Sequence, residues 1–96
     1  MDMKSLRAKR NEIIELAAKY GVANVRVFGS VARGQADSKS DIDFLVDVVD
    51  ASRFQWAGGG LLIDLQYLLG CPVDIATEKE LHWYIHDRVM QEAEAL

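Results

Sequence analysis

Asp41 and Asp43 stand two residues apart in SDIDFLVD, at the head of the apolar run Ile42, Phe44, Leu45, Val46. On an extended strand, residues i and i+2 project from one face with Cα atoms about 6.6 Å apart, so the two carboxylates can hold a divalent ion between them. Buried without a counter-charge they would repel each other and cost stability. A magnesium ion supplies that counter-charge. Upstream, Gly29-Ser30 closes another apolar segment. Glycine lets the backbone approach a ligand closely, and such a turn offers N–H groups and a hydroxyl to phosphate oxygens. A third carboxylate, Asp74, lies between apolar neighbours in VDIA.

Hard carboxylate oxygens beside a phosphate-binding turn suit phosphoryl or nucleotidyl transfer, where the barrier lies chiefly in alignment and in charge accumulating on phosphate oxygens. Two Mg²⁺ ions about 3.5–4 Å apart would activate the attacking hydroxyl and stabilise the departing pyrophosphate. Asp41, Asp43 and Asp74 are the candidate metal ligands; Gly29 and Ser30 are candidates for the β- and γ-phosphates of a nucleotide. Arg33, Lys39 and Ser40 are further nucleotide-binding candidates. The plainer alternative is a strand start carrying solvated aspartates, with Asp74 a surface residue of an edge strand. Gly58-Gly59-Gly60 is a weak phosphate-loop signal, since no lysine follows it.

Positioning these groups requires strands. Residues 3–20 have the periodicity of a helix, with Leu6, Ile13, Ile14, Leu16, Ala17 and Tyr20 on one side, and Gly21 stops it. A strand follows over 24–28, with Val25 and Val27 on one face. A short helical turn over 30–34, with Ser30 near its N-cap, and the polar loop QADSKS lead to a second strand over 41–48. The Gly-Ser turn ends one strand and the aspartates begin the next, so both reach one site only if the strands are antiparallel. A helix is firm over 61–69, starting either at Leu61 or near Phe54, where helical glycines would permit a close approach. Pro72 opens a third strand, VDIA, and a helix between strands makes it parallel to the second. Thr77, with Glu80 at the capping-box position, starts a last helix to about Glu94 that buries Leu81, Ile85 and Val89, with Trp83 a further candidate. The expected fold is α/β (α+β) with a three-stranded mixed sheet, in the order helix, strand, short helix, strand, helix, strand, helix.

The 96 residues, half of them hydrophobic, suffice for a single domain with a real core and exclude a disordered chain. A net charge of −4 disfavours nucleic acid and suits a basic protein partner. No apolar stretch approaches the roughly 18 residues of a membrane span, and MDMKSLRAKR lacks a signal peptide's apolar segment, so the expected location is the cytoplasm. Cys71 has no intramolecular disulfide partner and reads as a small packed hydrophobe. His82 and His86 are four apart, a spacing that can bind zinc, but no third ligand is evident and a solvated or partner-facing pair fits better. Trp56, Tyr67, Trp83 and Tyr84 are core or interface aromatics.

The spacing Gly29-Ser30, ten residues, Asp41-Ile42-Asp43 resembles the GS-x10-DxD signature of the polymerase-β-like nucleotidyltransferase superfamily. GSVARG…SDIDFLVD, the short chain, PVDIATEKEL and the final HDRVMQEA are together similar to the MntA-like minimal nucleotidyltransferase antitoxins, which pair with HEPN-domain toxins in type VII toxin–antitoxin modules of prokaryotes. The resemblance implies a minimal nucleotidyltransferase fold and an Mg²⁺-dependent protein adenylyltransferase that moves AMP from ATP to a tyrosine of the HEPN RNase and silences it. It places metal on Asp41, Asp43 and Asp74, triphosphate on Gly29 and Ser30, and general-base assistance on Asp74. A heteromeric complex with the HEPN toxin is expected, with no direct binding of nucleic acid. Two other functions stay open: an antitoxin that blocks its partner by binding alone, and a nucleotidyltransferase acting on a small molecule.

Overall fold

The computed structural model describes residues 1–37 and 40–96, with the side chains of 55–58 excepted. Lys39 and the Trp56 side chain therefore lie outside the described residues. The N-terminal helical pattern divides into α1 (Met3–Ala8) and α2 (Arg10–Lys19), broken at Lys9. Periodicity alone predicts one continuous helix. At the break the Lys9 side chain crosses to another helix, where its Nζ donates to the Leu68 carbonyl (3.4 Å) near the carbonyl-rich end. Leu6, Ile13 and Ala17 are buried as expected, whereas Ile14 is exposed.

β1 (Val22–Phe28) begins earlier than its alternation suggests. It pairs antiparallel with β2 (Ile42–Val48), and the register shifts between Ala23 and Arg26, where Asn24 takes a φ of +52°. This bulge lets Val22, Val25 and Val27 all be buried, which an unbroken two-residue period forbids. Between the strands lies α3 (Gly29–Ala32), which starts at Gly29 with Phe28, not Ser30, as its N-cap.

The longer of the two helix readings holds, since α4 spans Gln55–Leu69. A Cβ on Gly60 would come within 2.7 Å of Tyr20 Cε1, so this glycine makes room for a ring. β3 (Val73–Ala76) is parallel to β2. Thr77 and Glu80 form their capping box, but on a 3-10 turn, Glu78–Glu80. Leu81 and His82 are extended, and α5 runs Trp83–Glu92. That restart changes which residues face inward: Val89 is buried, Leu81 and Ile85 are half-buried, and Trp83 is 87% exposed.

A fourth strand, β4 (Glu94–Ala95), pairs antiparallel with β1, so the sheet has the order β3-β2-β1-β4 and not three strands. The main core joins Leu6, Ile13, Val27, Phe44, Leu61 and Leu65, which ties α1, α2 and α4 to one face of the sheet. Alternation sends Asp43 and Leu45 to the opposite face of β2. No described helix is long and apolar enough to cross a membrane.

Candidate active site

Asp43 is where the elements meet. On β2 it is the register partner of Phe28 on β1 and of Asp74 on β3. Register partners project from the same face of a sheet, so the Asp43 and Asp74 carboxylates share a side, and Gly29 follows directly after Phe28. Gly29 has a φ of +77°, and a Cβ there would run into Asp43 Oδ2. Both the backbone conformation and the space thus require glycine where the turn closes on the carboxylate.

The electrostatics report the same convergence. Burial first, then the charges of Asp74 and Asp41 and, less, of Glu92, together push the Asp43 carboxyl up to about 6 against the opposing charge of Arg33. Asp41, just ahead of β2, and Asp74 are exposed, and Asp43 is half-buried. Asp74 Oδ1 accepts a hydrogen bond from the Ile75 N–H at 3.1 Å. Among the described residues, no three His, Cys, Asp or Glu side chains form a ready-made metal cage. The charges of Asp74 and Asp41 both act on Asp43, so the three form a loose, open set. Their chemistry nevertheless fits a hard divalent cation: oxygen donors only, mutually repelling, with Asp43 held above its ordinary pKa by burial and then by the charges of the other two.

The remaining candidates separate. Arg33 closes α3 and reaches back toward the turn, pairing with Glu92 at 3.0 Å. Ser30 lies half-buried in the first turn of α3. Ser40 is tied to its own loop: its Oγ accepts from the Asp37 N–H (3.0 Å) and donates to Asp37 Oδ1 (3.2 Å). His86 bonds Glu78 and Asp87 through its two ring nitrogens, and His82 stacks on Tyr84, so each histidine has its own neighbours and the two share no ligand set. Glu92 is a site residue that spacing did not reveal: its Oε2 accepts from the Gly29 N–H at 2.6 Å. Only its i, i+4 relation to Arg88 was visible in the chain.

A family model described as a nucleotidyltransferase domain matches residues 10–96. A protein adenylyltransferase, MntA, of Thermococcus cleftensis is 37% identical over 79 residues, covering 81% of this chain and 78% of that protein. A solved minimal nucleotidyltransferase is 42% identical, with a TM-score of 0.82, and the match covers 100% of this chain and 97% of that one. A chain from a crystal structure of the MntA–HpeT toxin–antitoxin is 25% identical with a TM-score of 0.66, covering 91% of this chain and 70% of that one. With the Gly29 turn packed on Asp43 and a minimal nucleotidyltransferase fold around them, the chain belongs to the nucleotidyltransferase-domain family and is a nucleotidyltransferase.

Proposed function

We propose that this chain, as a single domain over residues 1–96, is an Mg²⁺-dependent protein adenylyltransferase and the antitoxin of a two-protein cytoplasmic module. Its acceptor is a tyrosine of a HEPN-domain RNase toxin, which it silences by transfer of AMP from ATP. The observation that carries this reading is the placement of Asp43 between Phe28 and Asp74, with the Gly29 turn against its carboxylate. The adenylyltransferase relative and the toxin–antitoxin structure support a protein acceptor.

In this reading Asp41, Asp43 and Asp74 hold the metal, whose charge would offset that on the phosphates and favour departure of pyrophosphate. The Gly29 N–H, Ser30 and Arg33 bind the triphosphate tail, so that the α-phosphate lies over the aspartates. Tyrosine oxygen attacks that phosphorus, the bond to the β-phosphate oxygen breaks, and pyrophosphate leaves. Asp74, exposed at the rim, accepts the phenolic proton. The partner supplies the outer wall of the pocket.

The test is incubation of the purified chain with its HEPN partner, ATP and Mg²⁺, read by mass spectrometry of the partner. AMP addition by the wild type and none by the Asp41→Ala, Asp43→Ala double variant is the expected result. Equal labelling by that variant would remove the mechanism, and rescue of toxin-expressing cells by it would point to inhibition by binding alone.

A further inference from the structure

Glu92, the last residue of α5, is seated on the groups assigned above to the triphosphate. Its Oε2 accepts from the Gly29 N–H at 2.6 Å, and its two oxygens lie 3.0 and 3.3 Å from Arg33 Nη1. Arg88 Nε stands 4.0 Å away, and the Glu92 side chain is only 14% exposed. A carboxylate and a phosphate make the same demand on such donors, namely N–H groups and a guanidinium aimed at anionic oxygen. The turn therefore already holds an internal anion.

The C-terminal residues beyond Glu92 keep it there. The backbone passes directly into β4, which adds to the edge of β1 with Val27 opposite Glu94 and Arg26 opposite Ala95. The Leu96 N–H donates to the Val25 carbonyl (3.3 Å), and Arg7 reaches both the Ala95 carbonyl (3.2 Å) and Glu94 (3.5 Å). Two paired residues, one exposed ion pair and the half-buried Leu96 at the edge of the core make a fastening of modest extent, of the kind that opens locally without global unfolding. The seated carboxylate also adds a like charge beside Asp43. A nucleotide arriving with its cation would relieve that repulsion as it displaced Glu92.

We propose that Glu92 is a built-in competitor for the triphosphate tail: the α5–β4 segment closes the phosphate seat, and nucleotide binds only when this carboxylate has left it. The inference rests on the reading of Gly29 and Arg33 as triphosphate ligands. Its consequence is quantitative, because a site open for only a fraction of the time has its apparent affinity reduced by that fraction. Removing the competitor restores the difference.

The experiment is calorimetric binding of two probes, a non-hydrolysable ATP analogue with Mg²⁺ and inorganic triphosphate with Mg²⁺. The wild type, Glu92→Gln, Glu92→Ala and Arg33→Ala are compared, each first shown to be folded by circular dichroism. Both Glu92 variants should bind both probes about five- to tenfold more tightly than wild type, and Arg33→Ala more weakly. If wild type binds but the Glu92 variants bind equally or less well, the competitor role is wrong and Glu92 serves to position Arg33. If neither wild type nor any folded variant binds either probe, the triphosphate reading falls and takes this inference with it. The two failures are thus distinguishable.

Discussion

Asp43 and Asp74 sit directly opposite each other on neighbouring parallel strands, the first half-buried and the second exposed. The pairing turns a helix crossover into a chemical device, because α4 delivers β3 to the flank of β2 that β1 does not occupy. Asp43 thereby gains a carboxylate on one side and the Gly29 turn on the other. Neither neighbour lies close to it in sequence.

That crowding has a pH signature. A carboxyl whose folded pKa is about 6 instead of 3.8 takes up protons on folding, so ionised Asp43 destabilises the metal-free protein. The handicap is absent below pH 3.8, grows as pH rises toward 6, and is fully present above it. Asp43→Asn should therefore stabilise the protein by roughly 1 kcal/mol at pH 7.5, a figure already reduced for the water that still screens a half-buried group. At pH 3.5 the gain should vanish. Urea denaturation in chelator at the two pH values checks this, and equal stability of the two proteins at pH 7.5 would contradict it.

Magnesium should act in the opposite sense on the same residue. An ion that binds only the folded state adds about 2.7 kcal/mol when present at a hundred times its dissociation constant, so saturating Mg²⁺ should raise the wild-type melting temperature at pH 7.5. Asp43→Asn should abolish the shift, and Asp41→Asn and Asp74→Asn should reduce it. A shift of the same size in all four proteins would place the ion elsewhere.

Much of this architecture was legible in the chain, and the reason is local. Alternation around Val25 and Val27 and in IDFLV marks strands, while the length of the connections decides which pairs are antiparallel and which parallel. What escaped depended on distant contacts. β4 is two residues whose strand character comes only from the free edge of β1. Glu92 meets Gly29 across a separation of 63 residues. The break at Lys9 coincides with its contact to the distant Leu68 carbonyl, and the exposure of Trp83 follows from the extended Leu81-His82 step that resets the phase of α5. The capping box itself was visible, but the helix it opens is a single 3-10 turn.

His86 joins that turn to α5 and offers a separate titration. Its Nε2 faces Glu78 at 2.9 Å and its Nδ1 faces Asp87 at 3.2 Å. The hydrogen bond to Glu78, then that to Asp87, raises its pKa above 6.5. The fastening is thus fully present below pH 6.5 and lost as pH climbs through the folded value. An NMR titration should find the His86 midpoint above 6.5, and Glu78→Gln should lower it. An unmoved midpoint in that variant would show that Glu78 does not hold the ring.

Adjacent glycines in α4 should respond to alanine with opposite signs. A Cβ on Gly59 meets nothing within 4 Å, so Gly59→Ala should gain the ordinary helix-propensity difference, about 0.5–1 kcal/mol. A Cβ on Gly60 would stand 2.7 Å from Tyr20 Cε1 and 3.2 Å from its hydroxyl oxygen. That ring is not free to swing aside, because its hydroxyl donates to Asp64 at 2.6 Å. Gly60→Ala must therefore break the hydrogen bond or push α4 away from α2, and overpacking of this kind costs about 1–3 kcal/mol, more than the propensity gain. Tyr20→Phe in the Gly60→Ala background, with the hydroxyl removed, should recover part of the loss. Denaturation midpoints of the four proteins decide the matter: stabilisation by both single alanine substitutions would show that the Tyr20 ring yields freely and that Gly60 is not there to admit it.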